Sequence, residues 1–369
     1  MALPRPGSRR GPRGIQRARA RRPGARGPGA RGSRRFGRGG PVKLLERLRR
    51  FISPAELHRF GVLGINRRNS RCVLAYNPRG HYPLVDDKVL TKEVLGAAGI
   101  PIPETFAVIE RHGDVRRIDE IVAPFPSFVI KPARGSGGRG ISVVVSHDGR
   151  TFVGPSGRET SLEELRYHLS TTLSGLYSLA GRPDRAILER RIVCHPLFQR
   201  IAVEGTPDVR VILYRGVPVM AMIRLPTVIS RGRANLHQGA IAAGIELASG
   251  LTLGGVWFNR GITHHPDTQE AIAGFEIPAW DQILAAAMRL ADAIGMGYVG
   301  ADFVVDAELG PVVLEANARP GLSIQIANQE GLRPRLDYID AQPPERLELA
   351  ERQALVAELS AGAHRSGHP

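Results

Sequence analysis

Two stretches that lie far apart in this 369-residue chain hold the side chains best suited to chemistry. The later one reads Ala301-Asp-Phe-Val-Val-Asp306, a short turn over residues 308–311, and then Leu314-Glu-Ala-Asn-Ala-Arg-Pro-Gly321. Two strands joined by such a turn can set Asp302 opposite Glu315, and Glu315 and Asn317, two residues apart, share one strand face. Two carboxylates and an amide oxygen are hard donors, of the kind Mg²⁺ takes when it bridges nucleotide phosphates. The bland alternative is a polar strand edge that ends in a turn.

The earlier stretch weighs against that alternative. Gly135-Ser136-Gly137-Gly138-Arg139-Gly140 matches G-x-G-x-x-G, but a dinucleotide-binding loop must run from a strand into a helix. Here Phe128-Val-Ile-Lys-Pro132 precedes the loop and β-branched Ile141–Val145 follows it. The pattern predicts strand, flexible loop, strand: a hairpin lid whose glycines bring backbone N–H groups close to anionic oxygens. Lys131, at the end of the first strand, would add a point charge for phosphates. No G-x-x-x-x-G-K-[ST] occurs, so a P-loop NTPase is excluded. A surface hairpin with a solvated lysine is the competing reading of this segment alone.

The elements that must position these groups can be read from period and punctuation. Ser53-Pro-Ala-Glu56 carries an N-cap, a proline at the first helical position and an acid at the third, and a basic amphipathic helix over Lys43–Phe51 precedes it. Asp86–Ala98 reads as a helix ended by Gly99. Strands are expected at Thr105–Glu110, Ser127–Lys131, Ile141–Val145, Ala186–Glu189, Asp208–Tyr214, Val217–Arg224, Ala301–Val305 and Val312–Glu315. Helices are expected at Ser161–Leu173, Trp280–Ile294 and Pro344–Ala361. Hairpin pairs mixed with helices indicate an α+β body. Trp257 and Trp280 are expected to pack, and His264-His265 to lie in a solvated loop.

The formal net charge of +16 resides in the tail. Residues 1–40 contain 13 Arg, 10 Gly and 5 Pro with no acid, and the remainder carries only +3. Such a tail has little to bury and is expected to be disordered. It reads either as an RGG-like arm attracting nucleic acid through charge or as a neutral extension whose deletion leaves turnover intact; the second is our expectation. Two cysteines make no disulfide framework or zinc site, and no apolar run reaches a membrane span of about 20 residues. With no apolar region behind the N-terminal arginines, a cytoplasmic protein is expected.

Taken together and in order, these motifs resemble the ATP-grasp superfamily, with the match closest to the RimK-like alpha-L-glutamate ligase-related proteins, including the sugar-transfer-associated group. The resemblance runs from Asp87-Lys88 to Ala327-Asn328, and Gly64-Ile-Asn-Arg-Arg-Asn69 and Tyr82-Pro-Leu-Val-Asp-Asp-Lys88 are similar to that group's opening. It implies an α+β fold of two subdomains, about 85–186 and 187–330, that clasp ATP. A reduced segment at 41–84 would precede them, and a C-terminal helix and tail at 331–369 would follow.

The resemblance also implies roles. Lys88 and Lys131 would touch ATP phosphates, and Gly135, Ser136, Gly137 and Gly138 would form the lid. Glu189 would mark the adenine hinge, where backbone groups of Arg190, Arg191 and Ile192 read the base. Asp208 would take ribose hydroxyls. Arg210, Arg224, Arg233, Asn235, His237 and Arg319 would lie near the γ-phosphate and an acceptor carboxylate. Asp302, Glu315 and Asn317 would hold Mg²⁺, or Mn²⁺ in its place. The implied activity is an ADP-forming carboxylate–amine ligation through an acyl phosphate. The partners would be ATP, a carboxylate acceptor and an amine donor such as an amino acid, a peptide or a protein.

Overall fold

The computed structural model describes residues 53–135, 137–178 and 181–362. The Arg-rich tail, the helix expected over Lys43–Phe51, and Ser136 lie outside the described residues. The first half supplies β1 (Thr105–Ile109), β2 (Phe128–Pro132), β3 (Ser142–Val144), three short strands β4 (Ser146–His147), β5 (Thr151–Val153) and β6 (Glu159–Ser161), and β7 (Ala186–Glu189). The second half supplies β8 (Asp208–Tyr214), β9 (Val217–Leu225), β10 (Ile241–Ile245), β11 (Thr252–Trp257), β12 (Arg260–Ile262), β13 (Tyr298–Asp306) and β14 (Gly310–Asn317).

These strands form two main sheets, ordered β1-β7-β2-β3 and β12-β11-β10-β9-β8-β13-β14, while β4-β5-β6 makes a small third. Every pairing in them is antiparallel. The body is therefore α+β, with hairpins rather than βαβ crossovers. β7 belongs to the first sheet, where it lies between β1 and β2. Residues 190–207 then carry the chain across to β8 and the second sheet.

Each main sheet has its own core. One face of the first sheet buries Ile109, Phe128, Ile130 and Leu188 against Leu165, Leu169 and Leu173 of the Leu162–Leu173 helix. That helix begins at Ser161, whose hydroxyl accepts from the Glu164 N–H while the Glu164 carboxylate accepts from the Ser161 N–H. A reciprocal cap of this kind is worth ~1 kcal/mol. The second sheet buries Val209, Val211, Leu213, Ala301 and Phe303 in a larger core shared with the Trp280–Ile294 helix. Ile283, Leu284, Ala287, Leu290, Ala291 and Ile294 make that helix's buried stripe, at the spacing an amphipathic helix requires. Trp280 is buried, and its indole N–H donates to the Leu247 carbonyl. Trp257 packs half-buried against the same core.

Three expectations change. The strands β4–β6 and β10–β12 were not anticipated; Ile241-Ala-Ala-Gly-Ile245 and Leu253-Gly-Gly-Val256 are rich in small residues of low strand propensity, and pairing of β10 with β9, and of β11 with β10 and β12, determines their conformation. The helix expected over Pro344–Ala361 is a 3₁₀ turn at Pro344–Leu347 followed by a separate helix at Arg352–Ser360. The break lets buried Arg352 donate to the Leu347 carbonyl and bind Asp292 with both terminal nitrogens. His265 is fully buried rather than solvated: its Nε2 lies 3.1 Å from the Pro226 carbonyl, and its Nδ1 accepts from the Asp267 and Thr268 N–H groups.

Candidate active site

Register places one charged face on the second sheet. Asp208 pairs with Arg224 across β8 and β9, Arg210 with Asp302 across β8 and β13, and Asp302 with Glu315 across β13 and β14. Directly paired residues point to the same side, as do residues two apart. Asp208, Arg210, Arg224, Asp302, Glu315 and Asn317 therefore share a face, opposite the one buried by Val209, Val211 and Phe303. Arg210 Nε donates to Asp302 Oδ1 at 2.7 Å, and Arg210 Nη2 donates to Oδ2. Arg224 Nη2 donates to Asp302 Oδ2 at 3.0 Å and also binds Asp208. Asn317 Nδ2 stands 3.4 Å from Asp302 Oδ2.

Two carboxylates and two guanidiniums here share a buried site, and their titration divides accordingly. Burial would raise Asp302, but Arg210 and Arg224 outweigh it and hold its carboxyl below the usual range. Burial dominates at Asp208, which is pushed up to about 6 against the pull of Arg224, with the negative charge of Asp302 adding to the rise. The cluster is neutral when both acids are ionised.

The facing elements come from the first sheet and the Lys88–Ala97 helix. Asp87 caps that helix by accepting from the Val89 N–H, and its buried carboxylate binds Arg185 at 2.8 Å and Arg134 at 3.1 Å. The Lys88 N–H donates to the Ala133 carbonyl, so the helix start is fastened to the exit of β2. Lys88 Nζ donates to the Gly135 carbonyl at 2.8 Å and lies 3.7 Å from Glu315 Oε2. One turn later, Lys92 Nζ donates to Glu189 Oε2 at 2.7 Å, and Lys131 binds Oε1 of the same carboxylate. Burial would raise Glu189, yet Lys131 and Lys92 hold it below the usual carboxylate range. Sequence reasoning missed Asp87, Lys92, Arg134 and Arg185 as participants. A signal existed for two of them: Asp87 is an N-cap type before a helix, and Lys92 lies four residues past Lys88, on the same helix face.

Between β2 and β3 the glycine loop closes over this region. Gly137, Gly138 and Gly140 take φ of +64°, +73° and +74°, a region costly for other residues. The loop's far end is pinned: His168 Nε2 lies 3.0 Å from the Gly140 carbonyl, and a Cβ on Gly140 would stand 2.5 Å from the Tyr177 ring. Lys88, Lys131, Gly135, Gly137, Gly138, Arg139 and Glu315 line one small pocket beneath it. The structure thus brings the glycine loop, both lysines and Glu315 together.

Other expected residues stand apart from that group. Arg190 donates its N–H to the Glu104 carbonyl and its guanidinium to Glu308. Arg191 and Ile192 follow, half-buried, in the connection to the second sheet. Asn235 caps the 3₁₀ turn Leu236–Gln238 by accepting from the His237 N–H, and Arg233 reaches Gln238. Arg233 and His237 are exposed on the loop joining β9 to β10, just beyond Arg224. Arg319 is exposed and stacks its guanidinium over the Tyr82 ring at 5.1 Å.

The donors suit a hard divalent cation. Among the described residues no cluster of three or more His, Cys, Asp or Glu is arranged around a metal position; a cation beside Asp302 and Glu315 would need an amide oxygen as a third protein donor. A carboxylate offers about four lone-pair sites, and the arginines fill three on Asp302, leaving one on Oδ1. Glu315 is half-buried, with Lys88 as its ion-pair partner at 3.7 Å. Asn317 lies beside Asp302 and needs only an amide rotation to turn its oxygen toward the same place. No helix among the described residues is long and apolar enough to cross a membrane.

Comparison with known proteins places these observations. The profile of the family described as sugar-transfer associated ATP-grasp matches residues 67–341. A cyanophycin synthetase of Trichormus variabilis is 26% identical over 285 residues, which cover 68% of this chain and 28% of that protein; the chain thus spans little more than a quarter of its length. Among solved structures, the ATP-grasp ligase PsnB complexed with a minimal precursor has a TM-score of 0.42 at 17% identity, covering 72% of this chain and 62% of that one. D-alanine–D-alanine ligase from Bacillus anthracis complexed with ATP has a TM-score of 0.39 at 15% identity, covering 78% and 70%. At these scores neither structural likeness carries an argument. The family match spans most of the chain and both sheets: the chain belongs to the sugar-transfer associated ATP-grasp family.

Proposed function

We propose that this enzyme is an ADP-forming ligase that joins a carboxylate to an amine at the expense of ATP. The observation that carries this reading is the convergence of Lys88, Lys131, the glycine loop and Glu315 on one pocket, with Asp302, Arg210 and Arg224 on the same sheet face as Glu315. Phosphoryl transfer asks a protein for positioning and charge neutralisation more than for covalent help, and this site offers little besides fixed charge.

On this reading Lys88, Lys131 and the loop's N–H groups hold the phosphates, and backbone groups of Arg190, Arg191 and Ile192 meet the base. Asp302, Glu315 and Asn317 would hold Mg²⁺, which supplies charge neutralisation to the phosphate oxygens when bound. The acceptor carboxylate's oxygen attacks the γ-phosphorus, the bond to the β–γ bridging oxygen breaks, and ADP leaves. The amine then attacks the acyl carbon, phosphate departs, and the nitrogen loses a proton. Arg210 and Arg224 would present N–H donors on the side where the transferred phosphoryl group carries negative charge on its oxygens. Asp208, bound to Arg224, serves this arginine cluster on our reading, in place of the ribose role that the resemblance implies. Arg233, Asn235, His237 and Arg319 border the side from which the acceptor would approach. The finer reading is an alpha-L-glutamate ligase-like enzyme of the cytoplasm, which adds an amino acid to a peptide, a protein or a cell-envelope precursor.

ADP release from Mg-ATP, measured across a panel of amino acids and short peptides, tests the proposal. Release that requires both a carboxylate and an amine supports ligation; release that ignores the amine refutes it.

A further inference from the structure

We infer that Lys92 is a positioning residue: it is the standing counter-ion of Glu189, and it frees Lys131 to exchange that carboxylate for the phosphates of a nucleotide. The inference rests on the reading of Lys131 given above. Its own basis is the geometry of one buried triad. Lys131 binds Glu189 Oε1 and Lys92 binds Oε2, so each ammonium owns a separate oxygen. The Glu189 side chain is 4% exposed, with Lys92 at 13% and Lys131 at 14%.

Two cations around one anion leave an excess positive charge, an arrangement disfavoured unless a second anion is expected. Lys131 also lines the pocket beneath the glycine loop, whereas Lys92 does not. Lys92 instead lines a separate cavity of about 280 Å³, together with Val89, Glu93, Ile102, Glu104 and Ile187. The two lysines therefore differ in what they can reach: Lys131 can turn toward an anion in the pocket, and Lys92 stays with Glu189.

The physical consequence concerns the carboxylate left behind. If Glu189 had only Lys131, recruiting that ammonium to phosphate would strand a buried anion, which is strongly unfavourable. Lys131 would then remain on Glu189, and the nucleotide would lose its charge partner. With Lys92 on Oε2, Lys131 can leave and Glu189 stays neutralised. Sequence spacing supports the device: Lys88 and Lys92 are one helical turn apart, so one helix face both touches the loop and secures the hinge acid.

The test measures Mg-ATP binding to the full chain by titration calorimetry, with melting temperature recorded alongside. The proteins are the wild type, Lys131→Ala, Lys92→Met, Lys92→Arg and the double variant Lys92→Met/Glu189→Gln. We expect Lys92→Met to weaken binding by roughly tenfold, the equivalent of about 1.4 kcal/mol, and Lys92→Arg to bind close to the wild type. The double variant should recover most of the loss, because a neutral amide no longer holds Lys131; recovery of the melting temperature without recovery of affinity would instead mark a purely structural role for Lys92 and overturn the inference. Unchanged affinity in Lys92→Met, or a double variant as weak as the single, overturns the inference. Wild type that fails to bind Mg-ATP, or Lys131→Ala that binds equally well, instead overturns the site reading beneath it.

Discussion

Arg210 on β8 and Asp302 on β13 face each other in register, and the guanidinium closes on the carboxylate as a fork, Nε to one oxygen and Nη2 to the other. Arg224, a strand further away, reaches the same Asp302 oxygen while holding Asp208. The acid that stands among the candidate metal ligands is thus also the keystone of an arginine pair. Asp302→Asn should keep the fold but leave two guanidiniums under-neutralised, at a cost of about 3–5 kcal/mol for a broken buried pair. A urea midpoint equal to that of the wild type would contradict this.

Lys131→Ala removes a charge from the pocket and from Glu189 at once. Affinity for Mg-ATP should fall about tenfold or more, while the circular dichroism spectrum stays native. Equal affinities in a side-by-side titration would remove Lys131 from the nucleotide site.

Glu315→Ala deletes a candidate ligand that pairs with Asp302 and shares a pocket with Lys88 and Lys131. Turnover should drop by about 100-fold or more, and raising Mg²⁺ should recover part of it. Full ADP release in the variant would sink the metal assignment.

Asp208 gives a pH signature. Its carboxyl is pushed up to about 6 by burial, from an ordinary 3.8, so the native state keeps a proton that the unfolded chain has already lost. Stability from this group is fully present below the unfolded value and is lost as pH rises through about 6. Asp208→Asn lacks the titration. Relative to the variant, the wild type should lose melting temperature between about pH 5 and about pH 7.5; a constant gap between the two proteins would exclude the shift.

Gly140 and Gly137 separate strain from crowding. Both have positive φ, but a Cβ at Gly137 meets open space and one at Gly140 meets the Tyr177 ring. Gly137→Ala should cost ~1 kcal/mol from backbone conformation alone, and Gly140→Ala should add about 1–3 kcal/mol of overpacking. Thermal melts of the pair, read with the KM for ATP, would show whether the pinned end of the loop matters more than its tip.

How far the sequence disclosed this arrangement depended on the range of the signal. β7, β8 and the Trp280–Ile294 helix have the boundaries that apolar pattern and punctuation predict. The turn between β13 and β14 was short enough for Asp302 and Glu315 to be set opposite each other from spacing alone. Ion pairs across long sequence separations were not legible: Lys92 with Glu189, Asp87 with Arg185, Arg210 with Asp302. Nothing local in Asp-Val-Arg or Thr-Lys-Glu says which acid, some 90 residues away, will be the partner. β10 and β11 were hidden because their alanines and glycines pack closely where larger side chains would not: a Cβ on Gly244 would stand 2.6 Å from Asn328 Oδ1. Arg352, within the helix expected over Pro344–Ala361, is buried on Asp292, a partner 60 residues away that the local pattern did not name.

The hydrogen bond from Lys88 Nζ to the Gly135 carbonyl ties two quantities that are usually separate, access and charge. That ammonium donates to the loop's own backbone and at the same time lines the pocket beneath it. One ammonium thus both fixes the position of the loop and contributes charge to the pocket under it. A carbonyl is neutral, so Lys88 keeps its full charge while it donates to Gly135, and an anion in the pocket would compete with that carbonyl for the ammonium's N–H groups.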